Sequence, residues 1–269
     1  VVARGDDIRQ YSYDAKGRLS AVTVLSDSSK NESYKYDSRG NVVEQTVGSA
    51  TYQFSYDKAN QLTSRLGPDG LRHYTYDRAG RLVEENLNGK VDAKYTYGYL
   101  DKVTSVERGG QTTQFRYNAD GMLMEKEYPD GRVEKWGWDG MALISRGDER
   151  YVNEPHMSGG VPLMSYSETR GVRYHINDYL GTTLLSLDAQ GNVSDTYEDT
   201  TAFGQGDSLK NDPAARFTGK PYDKDLGAFV FPFRNYNPEN ARWTTVDPSG
   251  FPDGPNAHFY AGNPLLGVD

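Results

Sequence analysis

Tyr74-Thr75-Tyr76-Asp77-Arg78-Ala79-Gly80-Arg81-Leu82 is the stretch that decides the fold. The aromatic-x-Tyr alternation puts both rings on one face of a β-strand. Asp-x-x-Gly makes a turn, in which the carboxylate bonds its own downstream backbone and glycine supplies positive φ. Arg81-Leu82 then begins a return strand. Working outward, the same unit stands at Tyr11-Ser12-Tyr13-Asp14-Ala15-Lys16-Gly17-Arg18-Leu19, at Tyr34-Lys35-Tyr36-Asp37-Ser38-Arg39-Gly40-Asn41-Val42 and at Phe54-Ser55-Tyr56-Asp57-Lys58-Ala59-Asn60-Gln61-Leu62. Looser copies follow at Tyr95-Thr96-Tyr97-Gly98, Phe115-Arg116-Tyr117-Asn118 and Trp136-Gly137-Trp138-Asp139. The positions equivalent to aspartate are 14, 37, 57, 77, 98, 118 and 139, in steps of 20 to 23 residues.

A strand rises about 3.3 Å per residue and typically holds roughly 5–6 residues, so one repeat accommodates two strands and two turns. Pro68-Asp69-Gly70, Asn88-Gly89 and Pro129-Asp130-Gly131 fall midway between copies as the opposite turns. A single hairpin cannot bury a face, so the units must join edge to edge into one long, twisted sheet. The expected fold is all-β. Composition agrees. Of 269 residues only 36% are hydrophobic, yet 21 tyrosines and 29 glycines oppose disorder and suit a thin, glycine-punctuated sheet.

Other chemistries find little support. A net charge of −8 argues against a nucleic-acid partner, which would lack the dominant electrostatic term. No apolar run approaches the length of a membrane-spanning helix. Val1-Val2-Ala3-Arg4-Gly5-Asp6 has no basic and apolar leader pattern, and the chain opens in mid-repeat, as a fragment or processed product would. The absence of cysteine excludes disulfides and thiolate metal sites. His73, His156, His175 and His258 are widely separated and lack ligand spacing, so no metal or cofactor is expected. Neither a Gly-x-Ser-x-Gly nor a phosphate-loop motif occurs. Turn chemistry accounts for the repeated aspartates without invoking calcium.

These repeats resemble the YD repeats of the RHS family, found in bacterial polymorphic toxins, the C components of tripartite toxin complexes and animal teneurins. The resemblance implies a spiralling antiparallel β-hairpin sheet that closes into a shell or barrel. After about residue 145 the tyrosine period dissolves, and other segments carry the likeness. Tyr174-His175-Ile176-Asn177-Asp178-Tyr179-Leu180-Gly181, Ala202-Phe203-Gly204, and Phe217-Thr218-Gly219-Lys220 through Asn235-Tyr236-Asn237-Pro238 are similar to the family's associated core. The implied organisation is a hairpin sheet over 1–145 and, over 146–269, an RHS-associated core that continues the sheet and ends as a plug.

Asp247-Pro248-Ser249-Gly250 is followed by eighteen residues, Phe251 to Val268, and then Asp269. The family's hallmark is two DPxG motifs at that spacing, and this chain has the first in full and the aspartate of the second. The resemblance implies that Asp247 and Asp269 form an aspartic-protease pair that cuts its own chain beyond the second motif, with Arg242 stabilising charge or orienting a carboxylate. Two close carboxylates share one proton, which equips them as base and acid. The implied protein encapsulates and releases a C-terminal toxin or effector. Its partners would be that segment, the rest of the shell and secretion-system components, and its location secreted or at the bacterial cell surface. The competing expectations are a teneurin-like adhesion surface and a carbohydrate-binding scaffold, neither of which needs the DPxG spacing.

Overall fold

A computed structural model describes residues 2–4, 7–157, 159–250 and 254–265, with residues 2–4 and 7 known by strand pairing alone. The chain separates into two compact units. One comprises Val1–Tyr95 with Thr201–Phe203 and Tyr236–Asp269; the other comprises Thr96–Thr200 with Gly204–Asn235. Both are antiparallel β, and among the described residues no helix is long and apolar enough to cross a membrane.

In the first unit, the strands Asp7–Tyr13, Leu19–Val24, Glu32–Tyr36, Val42–Val47, Ala50–Tyr56, Leu62–Gly67, Gly70–Tyr76 and Leu82–Leu87 each pair with the next. One face buries Leu19, Val22, Tyr34, Val42, Phe54, Leu62, Tyr74 and Leu82. The other is polar, with Lys35 and Glu44 paired at 2.7 Å and the Thr46 and Thr51 hydroxyls 3.1 Å apart. That alternation is what a sheet with one wet face requires.

The Asp-x-x-Gly turns close as the sequence predicts. Asp14 Oδ1 accepts the N–H groups of Lys16 and Arg18, both at 2.9 Å, while its Oδ2 takes Arg18 Nε at 2.7 Å. Asp57 and Asp77 repeat the backbone pattern, and Gly17, Gly40 and Gly80 hold φ of 77°, 90° and 79°. At the base of each turn the register slips by one residue, as at Ser55/Tyr56 and Thr75/Tyr76. Such a bulge takes a carbonyl out of the ladder. The next hairpin's tyrosine supplies the missing donor: Tyr36 Oη donates to Leu19 O at 2.7 Å and Tyr56 Oη to Val42 O at 2.8 Å. The tyrosine of the motif therefore ties one hairpin to the previous one.

The second unit follows the same plan from Val103–Arg108 through Gln111–Tyr117, Leu123–Glu127, Val133–Asp139, Ala142–Arg146, Glu149–Asn153, Pro162–Ser167, Gly171–Asn177, Thr183–Leu187 and Val193–Thr196. Hairpins thus persist beyond residue 145, where the tyrosine period fades from the sequence. The physical role outlasts the residue. Tyr117 Oη donates to Val103 O at 2.9 Å, Trp138 Nε1 to Leu123 O at 2.7 Å, Asn153 Nδ2 to Leu143 O at 2.9 Å and Asn177 Nδ2 to Pro162 O at 2.8 Å. Any side chain that reaches with an N–H or O–H can fill the bulge.

Residues 204–235 cover the buried face of the second unit. Phe217 and Phe229 pack at a tilt, 5.2 Å between ring centres, and Arg216 lies 4.4 Å over the Tyr151 ring. Asp223, fully buried, accepts Lys126 Nζ at 2.6 Å and lies 3.6 Å from Arg146 Nη2. Burial alone would raise the Asp223 carboxyl, but the two cations outweigh it and hold it below the usual carboxylate range.

Candidate cleavage site

The DPxG motif lies in the first unit. Arg242-Trp243 pairs with Asn235–Asn237, Tyr236 facing Trp243 and Asn237 facing Arg242. Past that strand the chain turns at Asp247. Its Oδ1 accepts Ser249 N at 2.8 Å and Ser249 Oγ at 2.5 Å, and its carbonyl accepts Gly250 N at 3.1 Å. This is the carboxylate-capped turn of the repeats used again, with Gly250 at a φ of 95°. Asp247 is half-buried, and Pro248 and Ser249 are exposed.

The returning chain grips that turn from the other side. Trp243 N donates to His258 O and Asp247 N to Ala257 O, each at 3.1 Å, and Arg242 bridges to Phe259. The fully buried His258 ring places Nδ1 3.3 Å from Trp243 O and meets Tyr76 edge-on at 6.0 Å. Both limbs rest on the turns of the first four hairpins. Leu19 N donates to Gly262 O at 2.9 Å, the Phe259 ring lies beside Gly40, and Val246 lies close over Gly80. Glycine serves these turns chiefly through its positive φ, and at Gly80 a side chain would also crowd Val246.

Arg242 is buried, its guanidinium 4.9 Å over the Tyr56 ring and its Nη2 hydrogen-bonded to Asn60 O. Burial pushes the Tyr56 hydroxyl up to about 12, against the opposing pull of Arg242. A crevice of about 10 Å³ runs between Asn41, Tyr56, Asn240, Arg242, Asn256 and His258, room for one water. Of the three residues that the sequence nominates, Asp247 and Arg242 are five positions apart on one strand and its turn. Asp269 lies outside the described residues. Arg242 acts here on an aromatic ring and a backbone carbonyl.

Sequence reasoning missed Asn41, Asn60 and Asn256. Asn256 Nδ2 donates to Asn41 Oδ1 at 2.7 Å, Asn41 Nδ2 to Asn60 Oδ1 at 3.0 Å, and Asn60 Nδ2 to Pro255 O at 3.3 Å. The available signal was a pair of departures from the repeat. Asn60 stands where other copies have Gly17, Gly40 and Gly80, and Asn41 where two copies have Arg18 and Arg81.

Several known proteins share this plan. The family model for the teneurin YD-shell matches residues 3–136. The tRNA3(Ser)-specific nuclease WapA of Bacillus spizizenii is 27% identical across 97% of this chain and 11% of its own length. The probable deoxyribonuclease RhsB of Dickeya dadantii is 31% identical across 97% of this chain and 20% of its own length. A crystal structure of TcdB2–TccC3 superposes with a TM-score of 0.51 at 19% identity, over 98% of this chain and 18% of that one. The chain spans between 11% and 20% of the length of these two curated relatives. Its likeness to the solved structure is one of fold.

Proposed function

Because the chain belongs to the RHS/YD-repeat family, we propose that it forms part of a β-shell enclosing a C-terminal toxin or effector, and that it frees that cargo by cutting its own backbone. The single observation that carries the cleavage is the placement of Asp247. It sits half-buried on a braced turn, in a motif that eighteen residues separate from Asp269, and Ala257 and His258 of the intervening chain bond Asp247 and Trp243. Proteins named as nucleases containing stretches similar to this chain support a toxic cargo.

In the proposed chemistry Asp247 and Asp269 share one proton. The ionised member takes a proton from water as its oxygen attacks the scissile carbonyl carbon. The protonated member hydrogen-bonds the carbonyl oxygen, where negative charge develops. Collapse breaks the C–N bond as the carboxyl that took the proton from water passes it to the leaving nitrogen. Arg242 contributes by positioning: its contact with Asn60 O anchors the strand that leads to Asp247. The hairpin wall spans 1–145 in this proposal and the core 146–269. The remaining shell and secretion-system components are the other partners, and the location is the bacterial exterior or cell surface.

The test joins a reporter domain after Asp269 through Pro-Ser-Gly, which completes a second copy of the first motif. Intact mass spectrometry of the purified fusion should find the reporter released, and both Asp247→Asn and Asp269→Asn should abolish release. A folded, monodisperse fusion that stays whole overturns the protease and leaves the shell as an adhesion or binding scaffold.

A further inference from the structure

Two hairpins of the first unit depart from the repeat at neighbouring turns, and the departures bond adjacent residues of the C-terminal segment, Asn256 and Pro255. The turn residue of the third copy adopts a φ of 62° at Asn60, a conformation in which glycine is the least strained choice. The corresponding positions of the first, second and fourth copies are Gly17, Gly40 and Gly80. Asparagine is among the few other residues that tolerate this region, so the turn admits an amide at 60, and its hydrogen bonds run beyond its own turn. In the second copy, Asn41 takes the position of Arg18 and Arg81. Those arginines bond the carboxylate of their own turn, Arg18 Nε to Asp14 Oδ2 and Arg81 Nε to Asp77 Oδ2, both at 2.7 Å, and Arg18 Nη1 also reaches Asp37 O of the next turn. Asn41 Nδ2 performs the same service for Asp37 Oδ2 at 2.9 Å, and the shorter side chain leaves a carbonyl oxygen over. That oxygen accepts Asn256 Nδ2.

We infer that Asn41, Asn60 and Asn256 form an amide latch that registers the C-terminal segment on the turn rim and so positions Asp247 for cleavage. The inference rests on the cleavage proposed above for its functional half. Every member is tied at both ends. Asn41 and Asn60 are each 4% exposed, and Asn60 gives its side-chain oxygen to Asn41, its side-chain N–H to Pro255 O and its backbone carbonyl to Arg242. Asn256 Oδ1 accepts His258 N at 3.3 Å, which orients the stretch whose Ala257 and His258 carbonyls hold Asp247 N and Trp243 N. The path from latch to carboxylate is thus three short steps: Asn60 to Asn41, Asn41 to Asn256, and Ala257 to Asp247. None of the three amides touches the reacting bond, so they are positioning residues.

Asn60→Gly separates the latch from the fold, because it removes the amide while restoring the residue the turn prefers. Asn256→Ala removes the partner, and the double variant closes the cycle. In the reporter fusion, Asn60→Gly should slow release about tenfold or more, for the loss of the side-chain hydrogen bonds to Asn41, Pro255 and Arg39. Its melting temperature should stay at or above that of the parent. Amide hydrogen exchange over residues 255–262 should quicken by a similar factor, and the double variant should do no worse than the worse single. Parental release and parental exchange in Asn60→Gly would overturn the latch. If the parent fusion is never cut, the cleavage proposal fails by itself, and the exchange measurement on the chain still decides whether the latch exists.

Discussion

Asp223→Asn is the substitution whose effect follows most directly from the structure. The change removes one negative charge and keeps the shape. Oδ1 can still accept the N–H groups of Asp225 and Leu226, each at 3.0 Å, so the turn survives. Lost is the compensation of Lys126 at 2.6 Å and of Arg146 at 3.6 Å, in a place where Asp223 and the lysine side chain are 0% and 2% exposed. Breaking a buried pair in this way costs about 3–5 kcal/mol. Lys126 retains Asp225 at 2.7 Å and Arg146 retains Glu134 at 3.0 Å, which places the expected loss near the lower end, about 3 kcal/mol. At about 2–4 °C per kcal/mol, the melting point should drop by roughly 6–12 °C. The assay is urea unfolding followed by tryptophan fluorescence, since Trp136 stacks under Arg146 at 4.6 Å and reports the same unit. The native Asp223 carboxyl is held below its usual range. The parent's advantage should therefore be complete above the ordinary aspartate pKa of about 3.9 and vanish as pH falls through the native value. Adding Lys126→Met to Asp223→Asn removes the stranded cation and should recover part of the loss. A loss under about 1 kcal/mol, or a double variant as poor as the sum of the singles, refutes the reasoning.

Two further expectations concern the repeat and its degenerate half. Tyr117→Phe deletes the hydroxyl that fills the bulge at Val103 O and should cost about 1–3 kcal/mol in urea unfolding, whereas Tyr166→Phe, exposed on its strand, should fall within about 0.5 kcal/mol of the parent; equal effects would dismiss the tyrosine ties. His175 is buried between Ser186 Oγ and Ser165 Oγ, both at 2.9 Å, and burial together with Arg173 and Arg216 lowers its pKa from 6.5 to about 4. The folded state binds that proton less readily than the unfolded one, so this contribution is complete above pH 6.5 and fades as pH falls toward about 4. The urea midpoint of the parent should fall relative to His175→Gln across that window, and parallel pH profiles would rule the histidine out.

What the sequence by itself determined was the local unit. Aromatic-x-Tyr-Asp-x-x-Gly specifies a strand, a turn and a return strand through alternation, carboxylate capping and positive φ, all interactions within a few residues. The spacing of Asp247 and Asp269 was legible for the same reason, being a distance along the chain. Tertiary structure decided everything that depends on one hairpin touching another element. Tyr56 reads in the sequence as a ring on the same strand face as Phe54, but only the fold shows its hydroxyl serving the bulge at Val42, and only the fold lets Trp138, Asn153 and Asn177 inherit that role with no tyrosine to mark them. Likewise Asn41 and Asn60 look like ordinary drift in a repeat until Asn256 and Pro255, some two hundred residues on, are found bonded to them. A hydrogen bond depends on the position of its donor and acceptor in space, and chain distance carries no information about partners that far apart.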